Sequence, residues 1–255
     1  MPAMEAVRER IGTAVGWLSA PLFGAVALAR RGRVFHPEGA VFAARVEPLA
    51  VDGRTGRLAL RLAGPALVRF STALWRRGKE WPDALGCAIR FRHTDDPSSD
   101  PEVGDQDLLF ATIRTPLATP LGPVGTHVHD FLANTYFATA PFDAPAVGRV
   151  RWRLIPEPRM STEAMPGADR GQRLRAAVAS GDATLRLELR RTWHPGYTPV
   201  ARIRLFAPVE VDQDRLRFSP FRNGRGIVPR GFVNALRHGA YAASRVMGHD
   251  RPAAG

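Results

Sequence analysis

From residue 40 onward, apolar and polar positions alternate through most of the chain. "AVFAARVEPLAV" (40–51) and "GRLALRLAG" (56–64), with the glycine-containing "DGRTG" between them, predict a hairpin of two strands. "PALVRFSTAL" (65–74) predicts a third strand. In "GCAIRFRHT" (86–94) Cys87, Ile89 and Phe91 share one face of a fourth. "DLLFATIRTP" (107–116) and "GRVRWRLIP" (148–156) read as further strands, and "ATLRLELRRTW" (183–193) with "TPVARIRLFAP" (198–208) as a long antiparallel pair. Helical patterning is sparser. It predicts helices at "THVHDFLANTYFAT" (126–139), at "GQRLRAAVASG" (171–181), ending on Gly181, and from about 230 to 246. The polar, proline-containing "DDPSSDPEVGDQ" (95–106) and "STEAMPGADRG" (161–171) read as loops. Many antiparallel strands with few helices give an α+β, mainly β fold class: a closed or nearly closed antiparallel β-barrel with peripheral helices.

The N-terminal residues break this pattern. Ile11 to Ala29 carries no charge and lies between Arg8 and Arg10 on one side and Arg30 and Arg31 on the other. Nineteen such residues nearly match a bilayer, but Gly12, Gly16, Ser19, Pro21 and Gly24 dilute them. The first reading is a packed or surface-lying helix broken at Pro21. A signal peptide cleaved near Ala27–Ala29 and a spanning helix are the alternatives. The expected organisation is an apolar helical segment over 1–32, the barrel over 33–248 and a disordered tail over 249–255.

Composition narrows the setting. Hydrophobic residues make up 45% of the 255 positions, ample for one core. The net charge is +12, with 36 lysines and arginines of which only Lys79 is a lysine. The arginines are scattered, which argues against a nucleic-acid tract. Cys87 is the single cysteine, so an internal disulfide and a cysteine-based zinc site are both excluded. A cytoplasmic protein is the default, membrane-associated where Ile11–Ala29 lies on lipid.

Three constellations offer chemistry. In "THVHD", His127, His129 and Asp130 stand close together. On a helix the two histidines point about 200° apart and cannot share an ion. On a strand they share a face but lack further ligands. "GRGIVPRG" lacks the spacing and the lysine of a phosphate-binding loop. "NALRHGAY" (234–241) puts Arg237 one helical turn before Tyr241. In an arginine-rich chain that spacing first suits an ordinary surface helix; the sharper reading is a cation that favours a phenolate, a ligand for ferric iron.

Six segments in order bear a family resemblance. "RVFHPEGAVF" (33–42), "VRFSTAL" (68–74), "LGCAIRF" with "GDQDLLFATIRTP" (85–91 and 104–116), "AAVASGDA" (176–183), "VEVDQDRLRFSPFRNGRGI" (209–227) and "RHGAY" (237–241) resemble the corresponding parts of haem catalases. The subclass they resemble is the small catalase-related peroxidases, which keep the barrel without the C-terminal helical domain. The resemblance implies one haem b, its iron held by Tyr241 as phenolate beside Arg237. It implies His36 as the acid–base group on the opposite face, with Ser71 holding the His36 ring. Arg33, Val34, Arg69 and Arg245 would contact the cofactor, the arginines at its propionates. Catalases carry an amide over the haem where this chain has Asp105, followed by Gln106, so Asp105 enters as a third catalytic candidate. The implied activity is peroxidase: hydrogen peroxide or an organic hydroperoxide as oxidant, an external electron donor as reductant, little disproportionation. The implied assembly is a homo-oligomer. A relative that rearranges fatty-acid hydroperoxides or tailors a metabolite, and a haem-free barrel that binds a lipid or an acidic partner, are the competing readings.

Overall fold

The alternating segments become strands whose small or apolar positions point one way. A computed structural model describes residues 39–49, 52–73, 79–96, 98–114, 125–138, 140–158, 165–212 and 215–230. The strands are β1 (Gly39–Pro48), β2 (Gly64–Thr72), β3 (Leu85–Phe91), β4 (Gln106–Ala111), β5 (Tyr136–Phe137), β6 (Phe142–Ala144), β7 (Gly148–Pro156), β8 (Thr184–Arg191), β9 (Thr198–Pro208) and β10 (Val228–Pro229). The sheet order is β10-β6-β7-β5-β4-β3-β2-β1-β9-β8, and β7 also pairs with β8. That last pairing closes the ring: β7, β5, β4, β3, β2, β1, β9 and β8 form an eight-stranded antiparallel barrel.

Inside the ring, every second residue is buried in one core. β1 supplies Phe42, Ala44 and Val46, β2 Ala66, Val68 and Phe70, and β3 Leu85, Cys87, Ile89 and Phe91. Leu108 and Phe110, Val150, Trp152 and Leu154, then Leu185, Leu187 and Leu189 continue the layer. Residues of opposite parity form the outer face.

Two helices join the core. Helix α1 (Gly53–Leu62) links β1 to β2, and α2 (Arg170–Ala179) precedes β8. The expected second strand of the hairpin, "GRLALRLAG", is thus α1. Its Leu58, Leu60 and Leu62 alternate, but the helix buries Leu58, Ala59 and Leu62 in the barrel core and leaves Leu60 59% exposed. Positions i, i+1 and i+4 make one helical stripe, and β1 finds its partner in β2 instead, in the register Phe42↔Val68. Helix α2 matches its expected position. Asp169 caps it reciprocally with Gln172: the Gln172 N–H donates to Asp169 Oδ1 and the Asp169 N–H to Gln172 Oε1, both at 2.8 Å. Gly181 follows the helix at φ 79°.

The expected helix over 126–139 is absent: the segment holds a turn, one 3-10 turn (Phe131–Ala133) and β5. Asp130 Oδ1 accepts from the Leu132 N–H at 2.8 Å, and the Asn134 amide bonds the His127 N–H and the carbonyls of His127 and Asp130. Short polar side chains here take the backbone groups a helix would have used.

Candidate functional site

The outer face of β2 holds a polar pair that an ordinary barrel would show to water. Leu67, Arg69 and Ser71 share that face, yet they are 2%, 5% and 4% exposed. Successive same-face residues on a strand lie about 7 Å apart. Leu67 belongs to a small apolar cluster with Val41 of β1 and Leu216, against which Val209, Val211 and Phe218 pack. The chain after β9 therefore folds back over the outside of β1 and β2, pinned where the Val209 N–H donates to the Val41 carbonyl at 2.8 Å. Gly39, the register partner of Ser71, leaves room for Arg69. A Cβ at Gly39 would lie 2.7 Å from the Arg69 guanidinium carbon and 2.6 Å from the Phe70 carbonyl.

A second buried polar group lies on the outer face of β3 and β4. Arg90 and Arg92, fully buried, project from β3 and its end beside Asp105 and Asp107. Arg90 Nε donates to Asp107 Oδ1 at 3.0 Å, and Arg90 Nη2 to the Arg217 carbonyl at 2.5 Å. The Ser219 N–H and Arg222 Nη1 both donate to Asp107 Oδ2. Burial is the largest influence on the Asp107 carboxyl and raises it above its ordinary value, against the pull of Arg90, Arg222 and the Ser219 N–H. Arg92 gathers the polar loop by donating to the carbonyls of Asp96, Ser98 and Asp100 and to Glu102 Oε1. Asp105 Oδ2 accepts from the Glu102 N–H at 2.9 Å and lies 3.9 Å from Nε of both Arg90 and Arg92. Its Oδ1 is buried without a hydrogen-bond partner.

These two groups are separate. Ser71 pairs with Gly86, and Gly86 with Ala111, six positions along β4 from Asp105. Six residues of strand span about 20 Å. So Arg69 and Ser71 come together, and Asp105 stands apart, between two arginines. Arg33, Val34, His36, Arg237, Tyr241 and Arg245 lie outside the described residues. The Arg90/Arg92 pair was missed in the sequence. Period two gave their outward direction, but their partners come from elsewhere in the chain: the segment 215–227 meets Arg90 and the loop 96–102 meets Arg92.

The histidine constellation takes a structural role. His129 Nδ1 lies 2.5 Å from Glu80 Oε2, and Glu80 Oε1 accepts from the Arg170 N–H and from Arg173 Nη1. His127 and His129 meet edge to face at 6.0 Å, and no cluster of metal-ligating residues occurs among the described residues.

Two of the chain's three tyrosines are committed elsewhere. Tyr136 is inside the barrel, donates to the Phe131 carbonyl at 2.7 Å, and is held as a neutral phenol because burial pushes its pKa well up. Tyr197 stacks under Arg153 at 3.9 Å and Arg190 at 5.3 Å, at the far end of β9 from Pro208.

No protein-family model and no curated protein matches the chain. Solved structures do. A fungal catalase aligns over 88% of this chain and 61% of its own, with TM-score 0.50 and 14% identity. Catalase A from Saccharomyces cerevisiae aligns over 88% and 63%, with TM-score 0.53 and 13% identity. The chain thus spans about three fifths of the length of these catalases, and at such identity the likeness is one of fold. With eight antiparallel strands in a closed ring and two helices feeding its core, the chain has the catalase-like barrel fold.

Proposed function

We propose that the chain is a haem-dependent peroxidase that reduces hydrogen peroxide or an organic hydroperoxide at the expense of an external electron donor. The observation that carries this reading is the buried pair Arg69 and Ser71 on the outer face of a catalase-like barrel, next to the apolar Val41, Leu67 and Leu216. A buried guanidinium beside an apolar floor suits an amphipathic ligand with carboxylate arms, and a haem is such a ligand. Bound there, haem supplies a redox-active iron.

The chain's own residues have these proposed parts. Arg69, with Arg33 and Arg245, pairs propionates, and Val34 packs on the ring. Ser71 holds the His36 imidazole in one tautomer. His36 carries a proton from one peroxide oxygen to the other, which makes the departing oxygen a better leaving group. Tyr241 ligates iron, and Arg237 keeps it a phenolate. Tyr136 lies inside the barrel with its hydroxyl on the Phe131 carbonyl, and Tyr197 lies at the other end of β9 from Pro208, the partner of Phe42, so the positions of both favour Tyr241 in that part. Asp105, held between Arg90 and Arg92 and six strand positions from the partner of Gly86, is given no part at this face.

The test is titration of the purified chain with haemin. A Soret band at one haem per chain, lost or shifted in Tyr241→Phe with the fold retained, is the expected result. A chain that stays colourless is a haem-free barrel, and an unchanged ferric spectrum in the variant removes Tyr241 as ligand.

A further inference from the structure

The hairpin between β8 and β9 carries a feature unrelated to the Arg69/Ser71 face. Its turn reads Thr192-Trp193-His194-Pro195-Gly196-Tyr197, and Trp193 is 95% exposed. The backbone of Trp193 is left-handed, at φ 70°. A bulky residue adopts that conformation at a cost, so two unfavourable choices meet at one position: strain and a large apolar ring in water.

The charges around it are also uncompensated. Arg190 and Arg191 immediately precede the turn, and Arg151 of β7 lies directly opposite Arg190. Like charges facing each other across an antiparallel pair destabilise it. Further along the same sheet the arginines are neutralised: Arg153 and Arg186 by Glu188, Arg202 by Glu157. Arg151, Arg190 and Arg191 form no ion pair among the described residues. Positive charge without a carboxylate partner is therefore concentrated at the end where Trp193 projects.

We propose that this tip docks on an anionic lipid bilayer, with Trp193 in the headgroup layer and Arg151, Arg190 and Arg191 on lipid phosphates. Indole belongs at an apolar–aqueous boundary, and a guanidinium pairs phosphate oxygens two at a time. A projecting turn with one aromatic fits a flat surface. A nucleic-acid strand calls for a groove with successive stacking rings.

The experiment is sedimentation of the full chain with vesicles of phosphatidylcholine alone and of phosphatidylcholine mixed with phosphatidylserine. The expected result is binding to the mixed vesicles that weakens with salt, and a loss of about tenfold in partitioning for Trp193→Ala and for Arg190→Ser with Arg191→Ser. All three positions lie at the end of the hairpin, and unchanged melting temperatures verify the fold. Residues 11–29 are intact in every variant, so the difference between variants and parent reports the tip alone. Equal partitioning of parent and variants overturns the proposal. So does a parent that ignores both vesicle types, or a single-stranded oligonucleotide whose binding is lost in the variants while vesicle binding is unchanged.

Discussion

Gly39 sits where a side chain has no room. A Cβ there meets the Phe70 carbonyl at 2.6 Å, and backbone cannot move aside as a flexible side chain can. Gly39→Ala is expected to cost about 1–3 kcal/mol by overpacking, read as a lower melting temperature. Because the same Cβ displaces Arg69, the proposed haem site predicts weaker haemin binding in this variant as well. A stable variant with unaltered haemin affinity would show that Arg69 does not hold the cofactor. Cys87 is a second residue with a sharp expectation. It is 2% exposed in the core, and burial pushes its thiol pKa up. Ellman's reagent should find no thiol in the native chain and one after denaturation; a reacting native thiol would mean that the core opens at β3. At this scale the sequence was readable where period two held: it gave Cys87, Arg69 and Ser71 their faces. It did not give Asp105 its neighbours, because the pairing with Arg90 and Arg92 depends on cross-strand register.

Among the elements, the segment 215–227 is held most visibly by one side chain. Gln106 Nε2 donates to the carbonyls of Arg222 and Ile227, and its Oε1 accepts from the Ile227 N–H at 3.1 Å. The Asp107 N–H donates to the Arg222 carbonyl, and the Gly224 N–H to the Asp105 carbonyl. Gln106→Ala strands several buried backbone groups and should destabilise the chain by about 3 kcal/mol. Trypsin should then cut after Arg222 and Arg225 well before it attacks β7–β9, and a parent-like digestion pattern would mean that backbone pairing alone secures the segment. Strands were legible as elements because their alternation is long. The errors fell on short or doubly readable stretches. Leu58, Leu60 and Leu62 satisfy a strand until Ala59 is counted, and then Leu58, Ala59 and Leu62 satisfy a helix. "THVHDFLANTYFAT" has helical spacing, but Asp130 and Asn134 outbid the helix for its backbone groups.

For the molecule as a whole, the class of fold, a closed or nearly closed antiparallel barrel, was legible and the order of its strands was not. Alternation counts strands and orients faces, but it cannot say that β1 meets β9 or that β7 meets both β5 and β8. The proposed reaction belongs to this scale, since it needs the barrel face together with Arg33 to His36 and Arg237 to Tyr241. Dye oxidation by hydrogen peroxide and by an organic hydroperoxide is expected to exceed oxygen evolution. His36→Ala should slow the reaction with peroxide about 10²-fold while haem binding is kept. Rapid oxygen evolution with little dye oxidation would point to a true catalase, and parent-like rates in the variant would move the proton transfer away from His36. Ring closure also sets a timetable during synthesis. Phe42 pairs with Pro208, 166 residues later in the chain (208 − 42). At ribosomal speed that gap takes about 10–30 s. For that interval one side of β1 presents unpaired amide and carbonyl groups to every other nascent copy. In the finished barrel that side is sealed by β9, so the hazard of self-association falls on the growing polypeptide and fades when the last long strand emerges.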